Sequence, residues 1–288
     1  SYRLTPFDFV ANKEDGYGVD WPIRYKDLAP WYDYVENYIG VSGENLNLNQ
    51  FPNQKLLKPM ELNCVEKVLQ NSISEKYSNR HMTIGRVAHI TEGTKPGLGR
   101  LNCQFRNRCR RGCPFGAYFS SNSSTLPAAE ATGNMTLRTN SIVYEVIYDE
   151  LNKRATGVKI IDSESNLTYE FKAKIIFMCA STVPTTSILM QSKSNRFPNG
   201  LGNDSGELGH NIMDHHFQIG ADATYDGFED KYYTGRRPNG IYIPRFQNIG
   251  GKTKNTNFLR GYGYQGGASR TDWTKYVKEA SYGEKLKQ

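Results

Sequence analysis

Three cysteines lie close together in the sequence: Cys103, Cys109 and Cys113, spaced C-x5-C-x3-C and followed by Pro114. Thiolates are soft ligands for zinc and iron–sulfur clusters, and one short loop can supply three ligands of a cluster. Arginines crowd the same segment, and we expect their charge to lower the pKa of the thiols. Zinc normally takes four ligands, and no fourth is evident nearby. The spacing therefore leaves two interpretations open: a metal or cluster site, or three free or disulfide-bonded cysteines in a structural loop.

A second polar motif is the segment at positions 211–216, in which Asp214 precedes the adjacent His215 and His216. Such residues can bind a metal or transfer protons. Neighbouring side chains diverge, however, so they rarely converge on one ion, and we interpret the segment as a hydrogen-bonded loop. His81 and His89 have no comparable context and are expected to be surface or packing residues.

The third feature is the apolar run at positions 174–180, in which Lys174 precedes six apolar residues; Cys179 and Ala180 end the run and Ser181 follows it. A continuous apolar run is typical of a strand buried on both faces. Small residues at the carboxyl end of such a strand let a ligand approach the backbone. Core packing explains the same pattern equally well. These residues contain no G-x-G-x-x-G motif and no P-loop.

The remaining pattern predicts the elements that must position these residues. Apolar spacing predicts helices over 30–39, capped by Asp27, and over 60–73, then a strand over 84–90. Residues 91–124 lack periodicity, and a loop of that length is usually functional. Further strands are predicted at 136–139, 142–148, 155–162 and 169–172, followed by the run at 174–179 and a helix over 184–191. Later short strands are predicted at 217–223, 240–246 and 258–264.

The chain has 288 residues, 38% of them hydrophobic, and a net charge of +7. Its longest apolar run has six residues, far short of the roughly 20 that a membrane-spanning helix needs. Four arginines lie within positions 106–111, but no nucleic-acid motif accompanies them, so we do not expect a nucleic acid partner. Because the sequence begins without Met, we expect it to be an internal portion of a longer protein.

Several segments together resemble the GMC (glucose–methanol–choline) family of flavoprotein oxidoreductases. The segments that carry the resemblance are 18–23 (GVDWPI), 25–36, 40–43 (GVSG), 124–128 (STLPA), 132–134 (TGN), 137–139 (LRT), 155–158 (ATGV) and 208–215 (LGHNIMDH). Within the family, the branch of gluconate, fructose and FAD-dependent glucose dehydrogenases is the most similar.

The resemblance implies an α/β fold, mixed with α+β, in which part of a Rossmann-type FAD-binding domain is interleaved with an antiparallel-sheet substrate domain. On this basis residues 135–197 are the FAD-domain segment, made of the β-meander, the buried strand and the helix. Residues 1–134 form a substrate-domain and cysteine-loop segment, and residues 198–288 a second substrate-domain segment.

The resemblance also implies site residues. Val143 falls where the family holds the adenine of FAD, and Cys179, Ala180 and Ser181 fall where a small-residue turn abuts the dinucleotide. No histidine occurs at positions 118–121, so the FAD is expected to be noncovalent. Some members of the branch bind a [3Fe-4S] cluster through a loop spaced like Cys103, Cys109 and Cys113. The family's base histidine and its G-x-G-x-x-G motif are expected outside this chain.

The implied activity is oxidation of the CH–OH group of a sugar or related alcohol by hydride transfer to flavin, in a dehydrogenase with an electron-accepting redox subunit as partner. This chain alone is expected to be inactive. The compartment stays open, although some relatives are periplasmic. Two alternatives remain: a non-catalytic binding module that retains the substrate-domain fold, and a zinc-stapled structural protein.

Overall fold

The computed structural model describes residues 2–106, 108–214, 219–228, 230–231 and 240–269. The chain divides into two compact units, one formed by Ser1–Met135 with Thr224–Gln288 and the other by Thr136–Ala223. Both combine helices with antiparallel strands, so the fold is mixed α/β. None of the helices that the structure describes is long and apolar enough to cross a membrane.

The described residues of the first unit form four α-helices: α1 (Ala11–Asp15), α2 (Tyr25–Ile39), α3 (Cys64–Lys76) and α4 (Thr125–Glu130). Helix α2 begins earlier than predicted, because Arg24 and not Asp27 occupies its N-cap. Asp27 instead lies in the first turn, where its carboxylate accepts the backbone N–H of Arg24 at 2.7 Å. Pro30 therefore lies inside the helix, and Gly40, with φ of 79°, ends it as predicted.

Helix α2 carries its apolar stripe on the outside. Trp31 is 66% exposed and Tyr34 is 65% exposed, whereas Glu36 is buried. The Glu36 carboxylate accepts hydrogen bonds from the Arg3 guanidinium (2.6 Å) and the Gln54 amide (2.7 Å). A buried carboxylate is tolerated only when it is paired in this way. Trp31 and Tyr34, whose spacing helps to predict the helix, are thus exposed, and buried Glu36 binds α2 to the rest of the unit.

Helix α3 starts at Cys64, four residues after the predicted start at position 60, because Asn63 caps it. The Asn63 side chain accepts the N–H of Glu66 at 2.9 Å, and the Glu66 carboxylate accepts the N–H of Asn63 at 2.9 Å. This reciprocal pair is a capping box, which satisfies two otherwise free backbone donors.

A small antiparallel sheet in the first unit has the order β1–β5–β6, with β1 at Thr83–Ile84, β5 at Ile241–Ile243 and β6 at Tyr264–Gly266. Beside it Ile73, Met82 and Ile241 form a buried apolar cluster. The strand predicted over 84–90 is wrong beyond Ile84, since the chain continues there only as isolated bridges. The strand predicted over 258–264 is displaced, because pairing with β5 begins only at Tyr264.

The second unit is built on an antiparallel meander of β2 (Ser141–Asp149), β3 (Arg154–Asp162) and β4 (Thr168–Lys172), followed by helix α5 (Thr182–Gln191). These elements confirm the strands predicted over 142–148, 155–162 and 169–172 and the helix predicted over 184–191. The predicted strand at 136–139 is absent. The Asp149 carboxylate accepts the N–H groups of Leu151 and Asn152 (both 3.0 Å) and so fixes the turn between β2 and β3.

Helix α5 packs against β2. The Val146 N–H of β2 donates to Ser192 Oγ at 2.8 Å, and the Ser192 hydroxyl donates to the Ile188 carbonyl at 2.6 Å. Val146, Ile160 and Ile188 are buried. The strand that carries Val143 and the helix that follows the turn at 179–181 are therefore neighbours.

The apolar run at 174–180 is not a strand, which corrects the sequence prediction. Its residues form turns and irregular backbone, with Ile175 71% exposed and Phe177 82% exposed. The chain leaves the sheet at Ala173, whose N–H donates to the Thr156 carbonyl at 2.9 Å. A strand needs neighbouring strands to satisfy its backbone groups. The three strands of the meander pair only with one another in the part of the chain that is described.

Candidate functional site

The loop that carries the three cysteines is held by one buried arginine. Arg100 is 4% exposed, and its guanidinium donates to the Gly116 carbonyl (2.9 Å), the Ser124 hydroxyl (3.2 Å) and the Ile39 carbonyl (3.0 Å). A guanidinium group has five N–H donors, so it can form hydrogen bonds with three segments of the chain at once. Arg100 thus fixes both ends of the loop against the end of α2.

A glycine allows the two arms of this loop to approach closely. Gly97 has φ of 136°, and a Cβ at this position would lie 2.3 Å from the Ser123 carbonyl oxygen. No side chain fits there. The N–H of Leu98 donates to the same carbonyl at 3.2 Å, so backbone contact replaces side-chain packing at this point.

Cys109 contacts a buried histidine. Its Sγ lies 3.8 Å from Nε2 of His89, which is 1% exposed and stacks on Tyr118 with the ring centroids 4.9 Å apart. The Nδ1 atom of His89 is buried without a hydrogen-bond partner. Burial lowers the pKa of His89 from 6.5 to about 4, so the imidazole is neutral at pH 7.

The thiols of Cys103 and Cys109 are not activated, which corrects the expectation that the arginines lower their pKa. Burial raises the pKa of Cys103, and the nearby Cys113 raises it further, against an opposing hydrogen bond from the Phe105 backbone. Burial also raises the pKa of Cys109, and Cys103 and Cys113 add to the effect. Cys103 and Cys109 are therefore thiols at neutral pH.

The structure does not support the predicted cluster or a zinc site. Among the described residues, which include Cys103, Cys109 and Cys113, no group of three or more His, Cys, Asp or Glu side chains could hold a metal ion. All three cysteines are free. The physical reason is orientation and ionisation: Cys109 faces the His89 ring, and burial disfavours the thiolate form that a metal requires.

The predicted FAD residues all belong to the second unit. Val143 is half-buried on β2, opposite Ile160, at a point where the register shifts before Glu145. Cys179, Ala180 and Ser181 are exposed and lead directly into α5. Ser181 has φ of 71° and forms the N-cap of α5 without a side-chain cap.

The turn at 179–181 lies at a helix N-terminus, where backbone N–H groups are of the kind that bind the phosphates of a dinucleotide. The first N–H groups of a helix are free donors, and its positive dipole end favours phosphate. Small side chains at Ala180 and Ser181 leave the backbone accessible. The residues therefore fit one wall of an FAD site.

The motif at 211–216 is only partly described, because His215 and His216 lie outside the described residues. Asn211 has φ of 59°, and its amide donates to the Glu207 carboxylate at 2.7 Å. This contact agrees with the interpretation of the segment's first half as a hydrogen-bonded loop.

Sequence reasoning missed two residues that shape the cysteine loop. His89 is twenty positions from Cys109, and no local pattern joins them. Arg100 was not singled out, although it lies between Gly97 and Gly116, the glycines against which its side chain packs. A lone arginine in a glycine-rich stretch is the only signal that could have indicated this role.

A comparison with known families matches residues 99–217 to the family model described as GMC oxidoreductase. Residues 99–217 are therefore similar to the GMC oxidoreductase family. The match includes the cysteine loop, the meander, and the turn at 179–181 with α5.

Curated proteins with similar sequences align with about three quarters or more of the chain. It is 26% identical to 2-methyl-1,2-propanediol dehydrogenase of Mycolicibacterium austroafricanum over 268 residues, 91% of this chain and 46% of that protein. It is 26% identical to the fructose dehydrogenase large subunit of Gluconobacter japonicus over 221 residues, 75% of this chain and 39% of the relative. It is 27% identical to paromamine 6'-oxidase of Streptomyces fradiae over 218 residues, 74% and 38% of the two chains. The chain thus spans less than half the length of these relatives.

Proposed function

We propose that this chain is part of an FAD-dependent oxidoreductase that oxidises the CH–OH group of a sugar or related alcohol. The GMC match over residues 99–217 carries the proposal. The names of three relatives point the same way, since they are a diol dehydrogenase, a fructose dehydrogenase subunit and an aminosugar oxidase. Bound FAD would supply the hydride acceptor.

Residues of the second unit would hold the cofactor noncovalently. The backbone beside Val143 would contact the adenine, and Cys179, Ala180 and Ser181 would lie against the dinucleotide at the start of α5. Support comes from the exposed turn and from the uncapped helix N-terminus. We propose residues 135–197 as the FAD-domain segment and residues 1–134 and 198–288 as substrate-domain segments. The compact unit that begins at Thr136 supports the first of these boundaries.

The exposed apolar run at 174–180 supports the proposal that more polypeptide completes this domain. An unpaired run with Ile175 and Phe177 in water leaves apolar surface that a neighbouring strand would cover. Because the matched relatives are more than twice as long as their aligned parts, we propose that such a strand belongs to the rest of the enzyme, together with a histidine that takes the substrate hydroxyl proton.

The full-length gene product tests this function. It is mixed anaerobically with a panel of sugars, polyols and simple diols, and the flavin absorption is followed. Bleaching by at least one alcohol, with the carbonyl product detected, is the expected result. A full-length protein that binds no flavin would favour a non-catalytic binding module. A protein that binds flavin but reacts with no alcohol would contradict the proposed substrate class.

A further inference from the structure

The cysteine loop carries an unusual charge distribution. Between Glu92 and Glu130 the sequence has six Lys and Arg residues and no Asp or Glu. Two of the six have partners within the fold: Arg100 is buried among carbonyl groups, and Lys95 donates to Asn37 Oδ1 at 2.9 Å. The rest of the positive charge lies around the cysteines.

Three of these arginines point into water. Arg106, Arg108 and Arg111 are exposed, and none of them lies within ion-pair distance of a carboxylate in the described ranges. Like charges at such short sequence spacing repel one another unless an outside group neutralises them. A guanidinium fork matches a carboxylate with two parallel hydrogen bonds.

Local contacts hold the backbone at residues 108–111 beneath two of these arginines. The N–H of Arg111 donates to the Arg108 carbonyl at 2.9 Å and forms a tight turn, and Cys109 within that turn contacts buried His89. The Arg106 guanidinium lies over the Phe115 ring, 5.5 Å from its centroid. An anchored loop loses less freedom on binding than a mobile one.

Apolar side chains accompany the charges. Leu101 is 55% exposed and Phe105 is 51% exposed, and the N–H of Leu101 donates to the carbonyl of Phe115, the residue that lies beneath Arg106. Arginine mixed with aromatic and aliphatic groups is typical of protein interfaces. Phe105 has a flat face on which a base could stack, but Leu101 has none, and its exposed aliphatic surface favours a protein over a nucleic acid.

We infer that the arginine surface, defined as Leu101, Phe105, Arg106, Arg108 and Arg111, docks a protein whose contact face has carboxylates around apolar side chains. The inference goes beyond the proposed function and does not require it, because charge, exposure and anchoring are properties of the described residues. Loss of flavin chemistry would leave it standing, and loss of docking would leave the oxidoreductase proposal standing.

The test uses the purified chain and a fluorescent peptide that alternates Glu with Leu and Phe. Peptide binding is measured by anisotropy over a range of salt concentrations. The triple variant Arg106→Glu, Arg108→Glu and Arg111→Glu should weaken binding roughly tenfold or more and flatten its salt dependence. The control Lys26→Glu, Lys172→Glu and Lys193→Glu changes net charge equally at exposed positions elsewhere and should change affinity by less than about twofold.

Two further variants keep the result interpretable. Replacing the three arginines by lysine retains the charge and should lose part of the affinity, because the bidentate fork is gone. Leu101→Ser with Phe105→Ser should weaken peptide binding while leaving the salt dependence unchanged. Circular dichroism of each variant confirms that it is folded.

Two outcomes would overturn the inference. Equal weakening by the arginine and lysine charge reversals would show that net charge alone drives binding. Tighter binding of a single-stranded oligonucleotide of the same charge, lost in the same arginine variant, would assign the surface to nucleic acid instead.

Discussion

In the cysteine loop and in the apolar run at 174–180, the sequence pattern and the observed structure disagree in opposite ways. The loop has almost no periodicity, yet Arg100 and a close backbone contact at Gly97 hold it firmly. The apolar run has the pattern of a buried strand, yet it is exposed and unpaired. The groups that hold the loop through hydrogen bonds and backbone contacts lie in the described part of this chain. A strand, in contrast, depends on neighbouring strands to satisfy its backbone groups.

The largest expected effect on stability comes from replacing Arg100, which anchors the cysteine loop. Arg100→Met removes four hydrogen bonds from a charged donor and leaves buried acceptors unsatisfied, so we expect a loss of roughly 3–5 kcal/mol of unfolding free energy. Urea unfolding followed by tryptophan emission measures it, since Trp21 and Trp31 lie in the same unit. The control Arg106→Met, at an exposed position, should cost less than about 0.5 kcal/mol. Equal effects of the two changes would mean that Arg100 is not the anchor.

The next effect depends on pH. Because the folded pKa of His89, about 4, lies below its unfolded value of 6.5, the unfolded state binds the proton first. The contribution of neutral His89 to the free energy of unfolding is complete above pH 6.5. It decreases by about 3 kcal/mol as the pH falls to 4. His89→Phe keeps the stacking on Tyr118 and does not titrate. The difference in unfolding free energy between the two proteins should therefore shrink on acidification, and a constant difference would contradict the neutral buried imidazole.

A smaller effect is expected at the close backbone contact. Gly97→Ala places a Cβ against the Ser123 carbonyl, and we expect a loss of about 2 kcal/mol or more. Gly99 also has positive φ, at 54°, but nothing lies near its Cβ position. Gly99→Ala should then cost only about 1 kcal/mol, from backbone strain alone. Thermal unfolding of both variants separates steric contact from conformational strain.

The smallest effect is expected in the apolar run itself. In this chain Phe177→Ser should change stability by less than about 0.5 kcal/mol, because the side chain is already in water. Ile160→Ala, at a position 2% exposed in β3, should cost about 3 kcal/mol. A large cost at Phe177 would show that the run is packed, as the sequence pattern predicts.

The elements that could be predicted from sequence are those with local causes. Alternation in β2, β3 and β4, joined by tight turns such as the one at Asp149, identified the meander within about two residues at each end. Helices α2 and α3 were also found, but their starts were missed, because capping by Arg24 and Asn63 depends on contacts that periodicity does not reveal.

The site was only partly predictable. The residues at 179–181 lead into α5, and their assignment to the cofactor site rests on residue types and stays a prediction. The His89–Cys109 contact joins positions that only the fold brings together, and the burial that raises the thiol pKa could not be seen beside so many arginines. Local charge predicted thiolates, whereas desolvation decided the outcome.

The most direct test of the account is the flavin content of two variants of the full-length gene product. Ala180→Trp fills the turn proposed to lie against FAD, and Ala173→Trp places the same bulk at an exposed position where the chain leaves the sheet. The account predicts that Ala180→Trp loses most of its flavin while Ala173→Trp retains it. Full flavin content in Ala180→Trp would contradict the assignment of this turn to the cofactor site.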